Sequence, residues 1–355
     1  MPILFLFGLG IYGGVKHEPY DVLKDAWYLL KIIIFIAVGF YFMKVIRSFH
    51  ALVNIVVLAS VLLSIYHLSL IGLYGGFSDP GILFVLRESY GVSASLLTVI
   101  GLTLLSFFRV YIRINPVLYI IFLFLCGLSI GLSMSRTFLV VFFMIGLLMM
   151  SKRILSTSGL FFIGTTLSII MLATSVGSDS IIVNKFQNSA AELNVKEYSS
   201  KSEINANWRG FEAFRAFQEY MSGSVVERVF GQGFGALIDL GFEMELGGDV
   251  MRFIPMTHNG YMYVLLKFGA LGLFIFLYFI YKLIRRNKNS FISRHFEIAA
   301  IEKLISAIGL LILFTTLVIS GIFNIYQLHA VLMLLGALLY LFTSYRERDK
   351  AFIFQ

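Results

Sequence analysis

The chain has 355 residues, of which 59% are hydrophobic and 14% charged, with a net charge of +8 and a mean hydropathy of +0.88. Soluble domains carry about a quarter charged residues, so this balance excludes a soluble domain with a single anchor and points to a polytopic membrane protein. The lone cysteine, Cys126, excludes an intrachain disulfide or a cysteine-rich metal site.

Apolar runs of about 17–25 residues recur along the chain, each long enough for a ~30 Å hydrocarbon core. They predict an all-α fold of ten spans, near residues 1–14, 26–43, 50–72, 91–108, 116–134, 137–151, 157–176, 259–281, 299–320 and 324–343. The first span is short and reads as a remnant of a longer amino-terminal region; it lacks the basic flank and small-residue cleavage site of a secretory signal. Residues 116–150 would reach about 52 Å as one helix at ~1.5 Å per residue, so the break Ser133-Met134-Ser135-Arg136-Thr137 is expected to fold the run into a tight helical hairpin. The spans read as free of interior carboxylates, with Lys31 and Lys267 as their interior cations.

Orientation follows from the cations. Lys44, Arg47, Arg109, Arg113, Lys152, Arg153 and the basic clusters at 282–294 and 346–350 all fall on one side of a ten-span model. Both termini are therefore expected in the cytoplasm, and the +8 charge is not a nucleic-acid footprint. The opposite side receives the connections near 15–25, 73–90 and 135–137. It also receives the large loop 177–257, which carries eleven of the twenty acidic residues. The whole chain, 1–355, reads as one membrane domain with this loop inserted between spans seven and eight.

The loops supply the chemistry. Arg136, at the hairpin tip, sits at headgroup depth, where a guanidinium suits a phosphate in bidentate fashion; the plainer alternative is an arginine that snorkels to the interface. Residues 208–221 read as an amphipathic helix. Glu212, Arg215 and Glu219 fall on its polar face, which gives Arg215 an ordinary surface pairing. Arg209 falls on another side, in a first turn capped by Asn207, where free N–H groups favour anions; of the two it is the preferred phosphate ligand. Thr257 reads as the N-cap of the eighth span and His258 as a first-turn residue, where the helix dipole would keep the imidazole neutral and fit for general-base work. A structural histidine is the alternative. Arg87, in the 73–90 connection, is a further candidate contact, and Arg215 a weaker one. His67 and His329 read as hydrogen-bonded helix residues. The Glu243-Met244-Glu245 pair is too common a pattern to indicate a metal, and Gly231-Gln232-Gly233-Phe234-Gly235 lacks the strand–turn–helix setting of a dinucleotide loop.

His258-Asn259-Gly260-Tyr261, followed by Gly269-Ala270-Leu271-Gly272, resembles the His-Asn-X-Tyr…Gly-X-X-Gly pattern of the O-antigen polymerase and O-antigen ligase superfamily. Ser135-Arg136-Thr137 is similar to the family's Ser-Arg element, and Arg209 upstream of the Gly-X-Gly-X-Gly turn to its loop arginine. The resemblance covers roughly residues 116–285. It implies a metal-independent glycosyltransferase of the bacterial inner membrane, without cofactor, acting at the periplasmic face on undecaprenyl-pyrophosphate-linked oligosaccharides as donor and acceptor. In that reading Arg136 and Arg209 stabilise the pyrophosphate and His258 is the base. Asn259 and Tyr261 join Arg87 and Arg215 as candidate substrate contacts, and a chain-length regulator is a further partner. A polymerase is favoured over a ligase that transfers glycan to lipid A-core; the alternative of another class is a transporter of a lipid-linked or anionic solute.

Overall fold

The computed structural model describes residues 2–77, 80–133, 135–150, 194–198, 200–246, 248–285, 296–324 and 326–353. The span expected at 157–176 and the start of the large loop lie outside them. The described chain is mostly helical. In order come α1 (Pro2–Gly14), α2 (Pro19–Ile46), α3 (Phe49–Leu73), α4 (Pro80–Tyr90), α5 (Leu96–Phe107), α6 (Pro116–Leu132), α7 (Arg136–Met150), α8 (Lys201–Ala206), α9 (Trp208–Ser222), α10 (Val225–Phe230), the strands β1 (Ile238–Leu246) and β2 (Asp249–Ile254), then α11 (Gly260–Arg285), α12 (Phe296–Ile319) and α13 (Gln327–Ile353).

Five of these helices, α2, α3, α11, α12 and α13 up to Glu347, are long and apolar enough to cross a membrane. The apolar helices α1, α5, α6 and α7 are shorter. At ~1.5 Å per residue they reach about 18–26 Å, less than a ~30 Å hydrocarbon core. The all-α expectation needs one correction, since β1 and β2 form an antiparallel hairpin within the large loop. A second correction concerns interior carboxylates: Asp25 in α2 and Glu302 in α12 are 1% and 4% exposed. Arg87, in the 73–90 connection, lies in the last turn of α4.

The chain divides into two compact units. One comprises Val38–Phe186, Asn287–Leu310 and Met333–Gln355. Within it α5 packs against α3, α6 and α7. Lipid tails are as apolar as leucine, so close approach and polar bridges hold such helices together. Gly101 admits the Ser60 side chain, whose hydroxyl donates to the Leu97 carbonyl at 2.8 Å. His67 Nδ1 lies 2.9 Å from Ser129 Oγ, in keeping with its expected hydrogen-bonded role. Arg136 is the first residue of α7, directly after the break that ends α6.

The other unit comprises Met1–Ala37, Gln187–Arg286 and Leu311–Leu332. In it α11 packs against α1, α9 and α10. The helix α11 breaks at Gly269, whose φ of 69° is the left-handed region that only glycine occupies without strain. The break frees the Leu266 and Lys267 carbonyls, and the glycine-rich turn takes them: Gln232 N–H donates to Leu266 O and Gly233 N–H to Lys267 O, both at 2.9 Å. Gly231 (φ 90°) leaves no room for a side chain, since a Cβ there would stand 2.2 Å from the Lys267 carbonyl. The Gly-X-Gly-X-Gly stretch is therefore a helix-docking turn.

Beneath that turn sits the buried pair Lys267–Asp25, 2.5 Å apart. Lys267 also donates to the Ala236 carbonyl. One Asp25 oxygen accepts from Lys267 and from Gly235 N–H at 2.7 Å, the other from the Tyr263 hydroxyl at 3.2 Å. An ionisable residue in a span is a functional candidate by default, but here both carboxylate oxygens and the ammonium are committed to fixed partners. The network joins α2, α11 and the turn as a strut. His329, by contrast, stacks on Phe35 with ring centroids 4.3 Å apart.

Candidate functional site

The amphipathic helix expected at 208–221 is α9, Trp208–Ser222. Its inner face buries Phe211 and Ala216 against Ile238, Leu240 and Ile254 of the hairpin and Leu266 of α11. Asn207 occupies the N-cap position but makes no side-chain cap; its amide donates back to the Glu203 carbonyl at 3.0 Å. The expected cap is thus replaced by a tie to α8. Arg209 remains in the first turn of α9 and is half-buried.

Glu212 is the largest departure from the sequence reading. It is not on a solvated face paired with Arg215; its side chain is 5% exposed and lies against His258. One carboxylate oxygen, Oε2, is 2.7 Å from His258 Nδ1 and accepts the His258 backbone N–H at 3.1 Å. Arg215 instead donates to the Asp239 carbonyl at 2.7 Å and to the Gln218 side chain at 2.9 Å, tying α9 to the first strand. Glu219, the third residue of the expected stripe, is partly buried, and desolvation raises its pKa; Asp239 adds to the rise and Arg215 opposes it. Arg209 is not isolated from the acids either. It precedes Glu212 by three residues, a spacing that makes the two neighbours on a helix.

The His258 segment also differs in register. The helix α11 begins at Gly260, and the cap is Asn259, whose Oδ1 accepts from Tyr261 N–H at 3.1 Å and Met262 N–H at 3.3 Å. Thr257 is not the N-cap; its hydroxyl donates to the Asn259 carbonyl at 2.6 Å. His258 therefore precedes the helix, outside the first turn, and the expected dipole argument does not apply to it. Ser320 N–H donates to the His258 carbonyl and Ser320 Oγ to the Thr257 carbonyl, each at 2.5 Å. Ser320 has a left-handed backbone, φ 63° and ψ −2°, a conformation that costs a non-glycine residue about 1–3 kcal/mol and persists where surrounding contacts enforce it. The Tyr261 hydroxyl reaches the Leu313 carbonyl at 2.7 Å.

The result is an exposed imidazole on a backbone fixed from two sides. The His258 side chain is 46% exposed, although the Thr257 and Asn259 residues flanking it are buried. A group that can exchange protons with a ligand is thus mounted on a rigid base, with a cationic side chain one helical turn beyond its carboxylate partner. Of the residues singled out from sequence, His258, Arg209 and Arg215 share this unit with Asn259 and Tyr261. Arg136 and Arg87 belong to the other. Glu212 was missed as a site residue, and so were Ser320 and the hairpin. Glu243 and Glu245 are exposed on β1, beside a cavity of about 160 Å³ that Lys201 and Asn205 of α8 also line.

No family model matches the chain, and neither the curated proteins nor the solved structures include a match to it. The resemblance drawn from the motifs consequently rests on those motifs alone.

Proposed function

We propose that the protein is a bacterial inner-membrane glycosyltransferase that joins undecaprenyl-pyrophosphate-linked repeat units at the periplasmic face, a polymerase of surface polysaccharide. The observation that carries this reading is the contact between Glu212 and His258. It brings two loop motifs 46 positions apart in sequence into one place, with Arg209 one turn away. In this reading ten spans place the 177–257 loop outside and both termini in the cytoplasm. The donor and acceptor are lipid-linked oligosaccharides presented by the bilayer.

The chemistry asks little of the protein beyond charge and a proton acceptor. His258 takes the proton of an acceptor sugar hydroxyl. That oxygen forms the new bond to the anomeric carbon as the bond from that carbon to the pyrophosphate oxygen breaks, and undecaprenyl pyrophosphate leaves with the electron pair. The proton then passes from the imidazolium to water. Arg209 stabilises the charge that grows on the leaving group, as preorganised cations do at developing anions. Arg136 is assigned the same task from its sequence motif.

Glycan analysis of a strain lacking the protein tests the assignment. Single repeats still attached to lipid A-core, with long chains lost, are the expected result. Loss of every repeat from core identifies a ligase instead, and an unchanged glycan with an altered solute distribution identifies a transporter.

A further inference from the structure

We infer that Glu212 is a positioning residue for His258: its buried carboxylate keeps the single proton of the neutral ring on Nδ1 and leaves Nε2 facing outward as the acceptor. The catalytic meaning of this inference rests on the reading of His258 as the base; the proton placement does not.

Three observations carry it. An ionised carboxylate has no proton to donate, so the 2.7 Å contact with Nδ1 requires an Nδ1–H donor, at a length typical of charge-assisted bonds. The same oxygen also accepts the backbone N–H of His258. A swing of the ring would therefore have to occur against a peptide that Ser320 holds from the opposite side. Finally, burying a carboxylate is unfavourable unless it is hydrogen-bonded. Among the described residues, the hydrogen bonds to the Glu212 carboxylate come from His258. An aliphatic residue would suit the apolar inner face of α9 at least as well, so the carboxylate's role lies in what it does to the ring.

Once the ring is set this way, the nitrogen able to accept a proton is Nε2, on a side chain 46% exposed. A ring of the other tautomer would present an N–H outward and could not take a hydroxyl proton. This is a requirement distinct from charge, and a stability measurement would not detect it.

The test is ¹⁵N NMR of the histidine-labelled full-length protein in proteoliposomes at pH 8.5, with the His258 signals assigned by difference from His258→Asn. A protonated Nδ1 with a bare Nε2 is expected. In Glu212→Ala the proton should move largely to Nε2, and turnover on lipid-linked repeat units should fall by at least about 10-fold, toward the 10²–10⁴-fold span typical of general-base catalysis. The KM for donor should stay within about twofold. Glu212→Gln, which retains an acceptor oxygen and the side-chain shape, should keep most of the Nδ1–H form and lose less turnover than Glu212→Ala. A wild-type ring carrying its proton on Nε2, or on both nitrogens, overturns the inference. So does an unchanged signature in Glu212→Ala. Should that variant fail to fold, the wild-type signature and Glu212→Gln still decide the matter. A moved proton with undiminished turnover would instead remove His258 as the base while leaving the proton assignment intact.

Discussion

Asp25 and Lys267 are 1% and 0% exposed and bonded to one another, to Tyr263 and to the glycine-rich turn. Removing one member of such a pair strands a buried charge, at a cost of about 3–5 kcal/mol. Lys267→Met or Asp25→Asn should therefore lower the melting temperature of the purified protein sharply, and the double variant should recover part of the loss. Equal melting of Lys267→Met and the parent would show that the strut does not hold the unit. The two loop arginines should separate along different lines. Arg215 ties α9 to the Asp239 carbonyl, so Arg215→Ala should reduce melting temperature and leave turnover largely intact below it. Arg209→Ala should abolish chain formation with little change in melting. Equal, severe loss of turnover in both variants at unchanged melting would contradict the assignment.

The hairpin is the element on which pH should act most visibly. Asp239 is held down to about 2, first by the paired Arg252 guanidinium and then by Gly241 N–H. An unfolded aspartate titrates near 3.9, so the folded state favours the ionised form. Its contribution is fully present above about pH 4 and is lost as pH falls toward 2. Amide exchange in β1 and β2, corrected for intrinsic rates, should show constant protection from pH 7 to 5 and a decline below about 4. Asp239→Asn should flatten that dependence, whereas a decline beginning near neutrality would assign it to another group. This hairpin was legible in the sequence: Ile238-Asp239-Leu240 alternates, and the Gly-Gly pair that follows at 247–248 is a turn signal in the sequence. The helix α9 was legible from its 3.6-residue period, with bounds nearly correct. The partner of Glu212 was not. A helical wheel places Glu212 at the edge of the polar face, and which edge faces solvent is decided by what packs there, here the His258 segment. The helix start at Gly260 was ambiguous for a related reason. Thr257 and Asn259 are both competent caps, and the demand of Ser320 on the Thr257 and His258 carbonyls draws these residues out of the helix.

At the scale of the whole molecule, membrane character follows from composition and from helices long and apolar enough to cross a bilayer; sidedness is a reading of where the cations fall. With Cys126 replaced by serine, a cysteine at position 248 should react with an impermeant maleimide from outside. One at position 113 should react only after permeabilisation. Labelling of both from the same side would refute the ten-span topology and remove the loop from the periplasm. The proposed function has His258 act as a base in glycosyl transfer from a lipid pyrophosphate. It is tested most directly by purified protein in proteoliposomes supplied with undecaprenyl-pyrophosphate-linked repeat units and chelator, with product length and donor binding followed for the parent and His258→Ala. Chain growth in chelator by the parent is expected. In His258→Ala turnover should fall by about 10²–10⁴-fold with donor binding retained. Near-normal growth by His258→Ala, or growth that needs added magnesium or manganese, would contradict the account.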